Sequence, residues 1–218
     1  MKPAMKTLVS LIIVTALSLP AFAWDNEAID TAWRSNDVET LTAFAQGEGF
    51  AALYSQYRIA LIAQEQGDKT LAKKSLDIIV DALENNYQST DEAALYYNAV
   101  GLSIALKPWT AAFAIKKATK ALEYSESQTT VHAPTLVANA VGLFNRPAFA
   151  GGDKEQALIY FDRALDLYAQ QEAWGYEDAW LWQIKALNAT DQPDLAAQQL
   201  QLLLQKYPDF IAAQELTL

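Results

Sequence analysis

The only histidine of this sequence, His132, is the residue best suited to transfer a proton near neutral pH. It lies in the stretch TTVHAP, residues 129–134, where the proline two positions later indicates the start of a helix. A lone histidine at such a point is typical of a surface or capping residue. A buried carboxylate beside it would favour an enzyme, because a general base needs a partner that orients it. The sequence pattern supplies no such partner, and we predict no catalytic role for His132.

The other chemically active groups are few and dispersed. Asp77, Asp81 and Glu84 recur at helical spacing, which predicts a solvated acidic stripe rather than a metal site or an acid–base pair. The Gly-Gly pair at 151–152 precedes an expected helix start, but the carboxylate of Asp153 opposes anion binding there. The sequence has no cysteine, and therefore no disulfide, thiolate metal site or covalently attached haem. We predict a protein without cofactor, bound metal or enzymatic activity.

The first 23 residues have the form of a secretory signal peptide. Two lysines precede the apolar run Leu8–Leu19, and Ala21 and Ala23 follow it with the spacing of a cleavage site. A signal that begins at Met5 has the same three parts, so either methionine can be the start. A membrane anchor is the alternative, but the apolar run is short for a bilayer span. We predict cleavage before Trp24.

Composition and charge favour a soluble periplasmic protein. No cysteine follows the predicted cleavage site, so we expect no lipid attachment, and no second apolar span follows. Residues 1–23 contain two lysines and no acidic residue, so their removal changes the net charge from −10 to −12. Such a surface repels nucleic acid and anionic lipid, and we expect neither as a partner. An apolar content of 52% is enough for one domain, residues 24–218.

The remaining sequence predicts helices throughout. Apolar residues recur at helical spacing in segments such as 69–87 and 153–170, and no apolar–polar alternation persists long enough for a strand. Asp153 and Gln156 have the form of a capping box, and Pro193 suits a first helical turn. We predict about ten helices and no sheet. The polar breaks between helices lie at 66–68, 105–108, 151–153 and 190–193.

The pentapeptide NAVGL occurs at Asn98–Leu102 and again at Asn139–Leu143, 41 residues apart. Small residues followed by leucine recur in the first segment of each pair, at Ala60, Gly101 and Gly142. Because a small residue lets a partner helix approach closely, these positions predict a repeated helical hairpin. Alanines recur at a similar period in the second segments, at positions 72, 114, 157 and 196.

The small residue of the first helix, the Gly-Asp turn and the alanine series that follows it resemble the tetratricopeptide repeat. The clearest copy is GGDKEQALIYFDRALDLY, residues 151–168, and Pro208 stands where that family ends its second helix. The resemblance covers residues 50–208, with a period longer than the family's. It implies an all-α solenoid of stacked antiparallel helical hairpins after the signal peptide, with about four repeats. A degenerate leading helix pair would occupy 24–49, and a C-terminal cap 209–218.

The stretch NRPAFAGGDKEQAL, residues 145–158, also resembles small exported repeat proteins. These include the lipoprotein with tetratricopeptide-like repeats that accompanies TRAP-type transporters. The missing lipid-attachment cysteine departs from that pattern. This resemblance implies an accessory function beside a transporter.

The resemblance to the repeat family implies that the first helices line a groove. Their groove-facing positions are apolar, apart from Asn98 and Asn139, whose amides can both donate and accept, as an extended peptide backbone requires. The two asparagines can instead serve the stacking of neighbouring helices, since buried polar groups need partners. The aromatic stretch WGYEDAWLW, residues 174–182, is either core or a binding lip. The candidate groove residues are Tyr54, Tyr57, Asn98, Leu102, Asn139, Leu143, Arg146, Phe149, Trp174, Tyr176 and Trp182.

The predicted function is that of a periplasmic protein- or peptide-binding adaptor without catalytic activity. The alternative is a protein that binds a small apolar ligand or assists a transporter, and an enzyme is the third possibility. A continuous open groove would favour the adaptor, a closed apolar cavity the ligand carrier, and a buried carboxylate beside His132 the enzyme.

Overall fold

The computed structural model describes residues 26–128, 131–171 and 173–218. All regular structure in these stretches is helical, which confirms the all-α prediction. Single turns of 3-10 helix at Pro108–Thr110 and Ala148–Ala150 precede α6 and α8. The predicted signal peptide and the cleavage point before Trp24 lie outside the described residues. The helices are α1 (Asn26–Arg34), α2 (Val38–Ala45), α3 (Gly49–Glu65), α4 (Lys69–Leu83), α5 (Thr90–Leu106), α6 (Ala111–Glu126), α7 (Ala133–Asn145), α8 (Lys154–Tyr168), α9 (Tyr176–Ala189), α10 (Pro193–Lys206) and α11 (Ile211–Gln214).

Side-chain caps fix where several of these helices begin. The carboxylate of Asp68 accepts from the backbone N–H groups of Thr70 and Leu71, at 3.1 and 2.9 Å. That of Asp153 accepts from Gln156 N–H at 2.9 Å, as the capping-box pattern predicts. Each cap satisfies backbone donors that the first helical turn leaves unpaired. The helices therefore break where the sequence places its polar turns.

The helices pair as antiparallel hairpins and stack. We call the odd-numbered helices α1 to α9 the A helices and the even-numbered helices α2 to α10 the B helices. Each A helix packs on the B helix that follows it, and the A helices α3, α5, α7 and α9 touch one another in succession. Ala72, Ala157 and Ala196 are fully buried at the equivalent positions of three B helices. Their counterpart in α6, Ala114, is only half-buried, so the start of α6 packs less deeply.

The two glycines of the NAVGL repeat have different surroundings. A Cβ added at Gly142 would overlap the hydroxyl of Tyr97 on α5 and lie 3.2 Å from Cζ of its ring. Close helix approach therefore explains Gly142, as predicted. A Cβ added at Gly101 would meet nothing within 4 Å, so the same prediction is wrong there. One repeat earlier than Tyr97 stands Gln56, which does not approach Gly101 in the same way.

The two ends of the described chain meet. The rings of Trp33 on α1 and Phe210 lie 4.8 Å apart, edge to face. The guanidinium of Arg34 lies 4.5 Å from the ring centroid of Tyr207, and its Nε is 3.9 Å from a carboxylate oxygen of Asp209. One hydrophobic core accordingly runs from Ile29 to Ala213. The array is thus closed on itself rather than open at both ends.

Candidate binding surfaces

A buried ionic cluster joins the first, third and ninth helices. Arg58 on α3 is 0% exposed and donates to Asp30 on α1, with Nη2 2.6 Å and Nε 3.2 Å from the same oxygen. It also donates to Asp178 on α9, and its guanidinium lies 3.7 Å from the ring centroid of Trp33. The hydroxyl of Tyr54 donates to Asp30 at 2.6 Å. These contacts hold together helices that are distant in sequence.

A second arginine extends the cluster. Arg34 on α1 donates to the buried Glu177 at the start of α9. Asp30, Glu177 and Asp178 thus share two guanidinium groups, which leaves one negative charge in excess. Burial, together with the charge of Asp30, raises the pKa of Glu177 to about 7. Burial likewise raises the pKa of Asp178, although Arg58 acts in the opposite direction.

The segment before α9 fills the space beside α3 and α5. Trp174 is 3% exposed, and its ring lies 5.6 Å from that of Phe50 and 5.2 Å from that of Tyr54. Its indole N–H donates to Asp91 at the start of α5, at 2.5 Å. Tyr54 and Trp174, two of the candidate groove residues, are therefore buried in the core with no surface open to a ligand. Beside α3 and α5, side chains of the protein itself therefore fill the predicted groove.

His132 has a carboxylate beside it. Its Nε2 lies 3.0 Å from Oδ1 of Asp91, and its Nδ1 lies 2.9 Å from the hydroxyl of Thr135. Burial alone would raise the pKa of Asp91, but the hydrogen bond and charge of His132, with the bond from Trp174, lower it. The Asp91 side chain is 39% exposed. The buried carboxylate that would favour an enzyme is thus not what His132 meets, and the pair orients the Trp174 indole.

The candidates Asn98, Leu102, Asn139 and Leu143 are half-buried on α5 and α7. The helices α5 and α7 touch, so the equivalent residues lie on neighbouring helices. Within the described chain the Asn98 amide makes no hydrogen bond. The Asn139 amide donates only to the exposed Glu126, at 3.3 Å. Neither amide is hydrogen-bonded to a buried group of a neighbouring helix.

The remaining candidates are distributed around these helices. Tyr57 is half-buried on α3, and burial raises its pKa. Burial raises the pKa of the Tyr97 hydroxyl, and the charge of Arg146 acts in the opposite direction. The exposed Phe149 (94%) is not the ring that packs on Trp182. That ring belongs to Phe144, 5.5 Å away.

Tyr176, at the start of α9, packs against residues of α8, α9 and α10. Its ring lies 5.7 Å from that of Tyr168 and 5.8 Å from that of Trp180. The ammonium of Lys206 lies 4.5 Å from its ring centroid. Tyr176 is therefore largely engaged by its own neighbours.

A cleft of about 250 Å³ opens beside Asn139, between α6, α7 and α8. Glu126 and Arg163 give it both charges, and Tyr160 and Leu136 supply its apolar wall. No set of three or more histidine, cysteine or acidic side chains in the described part of the chain is placed to hold a metal ion. The cleft, with Asn139 in its lining, is suited to a polar ligand.

Sequence reasoning missed the ionic cluster. Arg58 is one of only 16 lysines and arginines in a protein with net charge −10. Its two carboxylate partners are 28 and 120 residues away, however, and no local pattern connects them.

Two parts of the chain match the family model of the tetratricopeptide repeat, at residues 54–82 and 178–209. The matches fall on the α3–α4 and α9–α10 hairpins. Together with the stacked hairpins, they identify a protein that contains tetratricopeptide repeats, a class that acts in protein interaction as an adaptor or scaffold. No curated protein and no solved structure matches the chain. Neither family match includes residues 145–158, so the resemblance to TRAP-associated proteins stays a prediction.

Proposed function

We propose that the protein is a periplasmic adaptor without catalytic activity, which binds an extended segment of a partner protein across α5 and α7. The observation that carries this proposal is how little the side-chain amides of Asn98 and Asn139 are hydrogen-bonded within the protein. On adjacent A helices, at equivalent positions of the repeat, the Asn98 amide makes no hydrogen bond among the described residues and the Asn139 amide makes one, to the exposed Glu126. An amide that the fold does not use is available to pair with the backbone of a ligand.

The surroundings of the asparagines support a peptide as the ligand. Leu102 and Leu143 follow them by one helical turn and offer half-buried apolar surface. Alternating amide and apolar positions suit a chain whose backbone needs hydrogen bonds and whose side chains need pockets. The cleft beside Asn139 has room for one side chain of the ligand.

Other observations support the proposed periplasmic location and the proposed lack of catalytic activity. The form of residues 1–23 supports export, and no helix of the described chain is long and apolar enough to cross a membrane. The half-exposed pairing of His132 with Asp91 supports a structural histidine. Charged side chains line the cleft beside Asn139, which favours a peptide over a small apolar ligand.

The test replaces both asparagines by alanine. We expect the free energy of unfolding to change by less than about 0.5 kcal/mol, because the stack does not use these amides. Binding should weaken by about tenfold to several hundredfold, since each lost hydrogen bond leaves a partner group unpaired. The measurements are a melting curve and a titration with the partner recovered by affinity capture from periplasmic extract.

The matched control replaces Asn86 and Asn188, which lie outside the α5–α7 surface, by alanine. This variant should bind with normal affinity. If the Asn98/Asn139 variant melts early and binds normally once folded, the asparagines serve the stack and the proposed surface is wrong. Cell fractionation that finds the protein only in the cytoplasm would contradict the periplasmic location.

A further inference from the structure

The segment 93–122, which covers α5 from its second turn and most of α6, contains four lysines and no acidic residue. In a chain with net charge −10 this is a local reversal of sign. Lys117 is paired with Glu84, whereas Lys107, Lys116 and Lys120 have no ion-pair partner among the described residues. Three positive charges on this side of the protein are therefore uncompensated.

Two aromatic side chains project from the same place. Trp109 is 78% exposed and Phe113 is 82% exposed, one helical turn apart at the start of α6. Lys116 and Lys120 continue the same stripe at spacings of three and four residues. The opposite side of α6 carries the buried Ala118 and Ala121 and packs against the core. The outward stripe is thus aromatic at its start and basic along its length.

A cleft adjoins this stripe. It has a volume of about 320 Å³ and lies between the end of α4, α5 and α6. Its lining includes Tyr87, Tyr96 and Phe113, the unpaired Lys116 and Lys120, and the Glu84–Lys117 ion pair. Such a cleft can hold an anionic group close to the exposed aromatic rings.

We propose that this surface, Trp109 to Lys120, docks the protein on a membrane that contains anionic phospholipid, although the net charge of the whole chain predicts repulsion from such a membrane. Lysine side chains near such a membrane are attracted by its negative surface potential, and tryptophan and phenylalanine favour the interface between headgroups and acyl chains. The arrangement matches helices that lie in the plane of a membrane, with aromatic and basic residues together. The negative charge of the rest of the chain then orients the protein, because only this side is attracted.

A membrane explains the observations better than an acidic protein partner does. The two aromatic rings are each more than three-quarters exposed, although Phe113 also borders the cleft, so a flat, penetrable surface can bury both at once. The proposal does not depend on the peptide-binding function, because it uses α6 rather than the inner surface of α5 and α7. An experiment can therefore contradict either proposal and leave the other intact.

The experiment is flotation of the purified protein, in the form that the cell produces, with vesicles of phosphatidylcholine alone or mixed equally with phosphatidylglycerol. We expect binding to the mixed vesicles that weakens as salt is raised, because exposed charges are screened. Lys116→Gln with Lys120→Gln should reduce partition into the mixed vesicles about twenty-five-fold, since each lysine contributes about fivefold. The corresponding arginine substitutions should retain binding. Trp109→Ser with Phe113→Ser should also reduce it, without changing the circular dichroism.

The matched control, Lys69→Gln with Lys74→Gln, removes the same charge from exposed positions of α4 and should leave binding intact. Three results would overturn the proposal. The first is equal binding of the protein to neutral and anionic vesicles. The second is an equal loss of vesicle binding in the α6 and α4 lysine variants. The third is that the protein binds polyglutamate at α6 but binds no vesicles, which would indicate an acidic protein partner.

Discussion

The NAVGL repeat permits a comparison of two glycines that share a sequence but not a contact. In a helix interior, glycine is less stable than alanine by about 0.5–1 kcal/mol. At Gly101 the added methyl group meets open space, so Gly101→Ala should stabilise the protein by that amount. At Gly142 the same gain is opposed by overlap with the Tyr97 hydroxyl and by ring carbons at 3.2 and 3.4 Å.

The free-energy cost of this overlap depends on how freely the Tyr97 ring can move. This ring is buried, so displacing it costs packing. Overpacking of this kind costs about 1–3 kcal/mol, which makes Gly142→Ala destabilising by up to about 2 kcal/mol. Because helix propensity is common to both sites, the difference between the two variants isolates the overlap.

Urea unfolding followed by circular dichroism measures both variants and a double-mutant cycle with Tyr97→Phe. Removing the hydroxyl leaves the nearest ring carbon at 3.2 Å, which a small shift accommodates. In the Tyr97→Phe background, Gly142→Ala should therefore lose most of its penalty, a coupling of about 1–2 kcal/mol. If Gly101→Ala and Gly142→Ala change stability by the same amount, or if the cycle shows no coupling, the explanation of Gly142 fails.

Two further predictions concern the buried ionic cluster. Arg58→Met should lower the free energy of unfolding by about 3–5 kcal/mol, because it leaves Asp30 and Asp178 buried without their partner. In the same melting assay Lys73→Met, which breaks the exposed pair with Asp77, should lower it by less than about 0.5 kcal/mol. Since burial raises the pKa of Glu177 to about 7, the folded state binds an extra proton above the ordinary glutamate pKa. Stability should thus fall by up to about 2–3 kcal/mol as pH rises from about 4.5 to 7 and then level off. Denaturant titrations of the parent and of Glu177→Gln check this, and an unchanged slope in the variant would refute it.

Much of the fold is accessible from the sequence because it depends on local chemistry. The caps Asp68 and Asp153 act within three residues, and the repeated alanines bury against a helix that is the next one in the chain. A pattern with a period of about 41 residues therefore predicts the hairpins and their stacking. It also predicts that α5 and α7 place Asn98 and Asn139 at equivalent positions.

The closure of the array was not accessible in this way. The helices at 26–45 match the repeat poorly, and their contribution is a set of single residues, Trp33 and Arg34 among them, that meet the other end of the chain. Contacts over 143 residues between side chains have no periodicity from which to infer them. For the same reason the burial of Trp174 against Tyr54 could be stated only as one of two alternatives.

The contact between Trp33 and Phe210 has a consequence for how such a protein can evolve. An open solenoid gains or loses a hairpin with little effect beyond the neighbouring units, because each unit contacts only those on either side. Here one extra hairpin would move the two ends apart and break Arg34 from Glu177, while one fewer would make them collide. The number of hairpins is therefore fixed by geometry, and lineages of this protein should vary in loop length but not in repeat number.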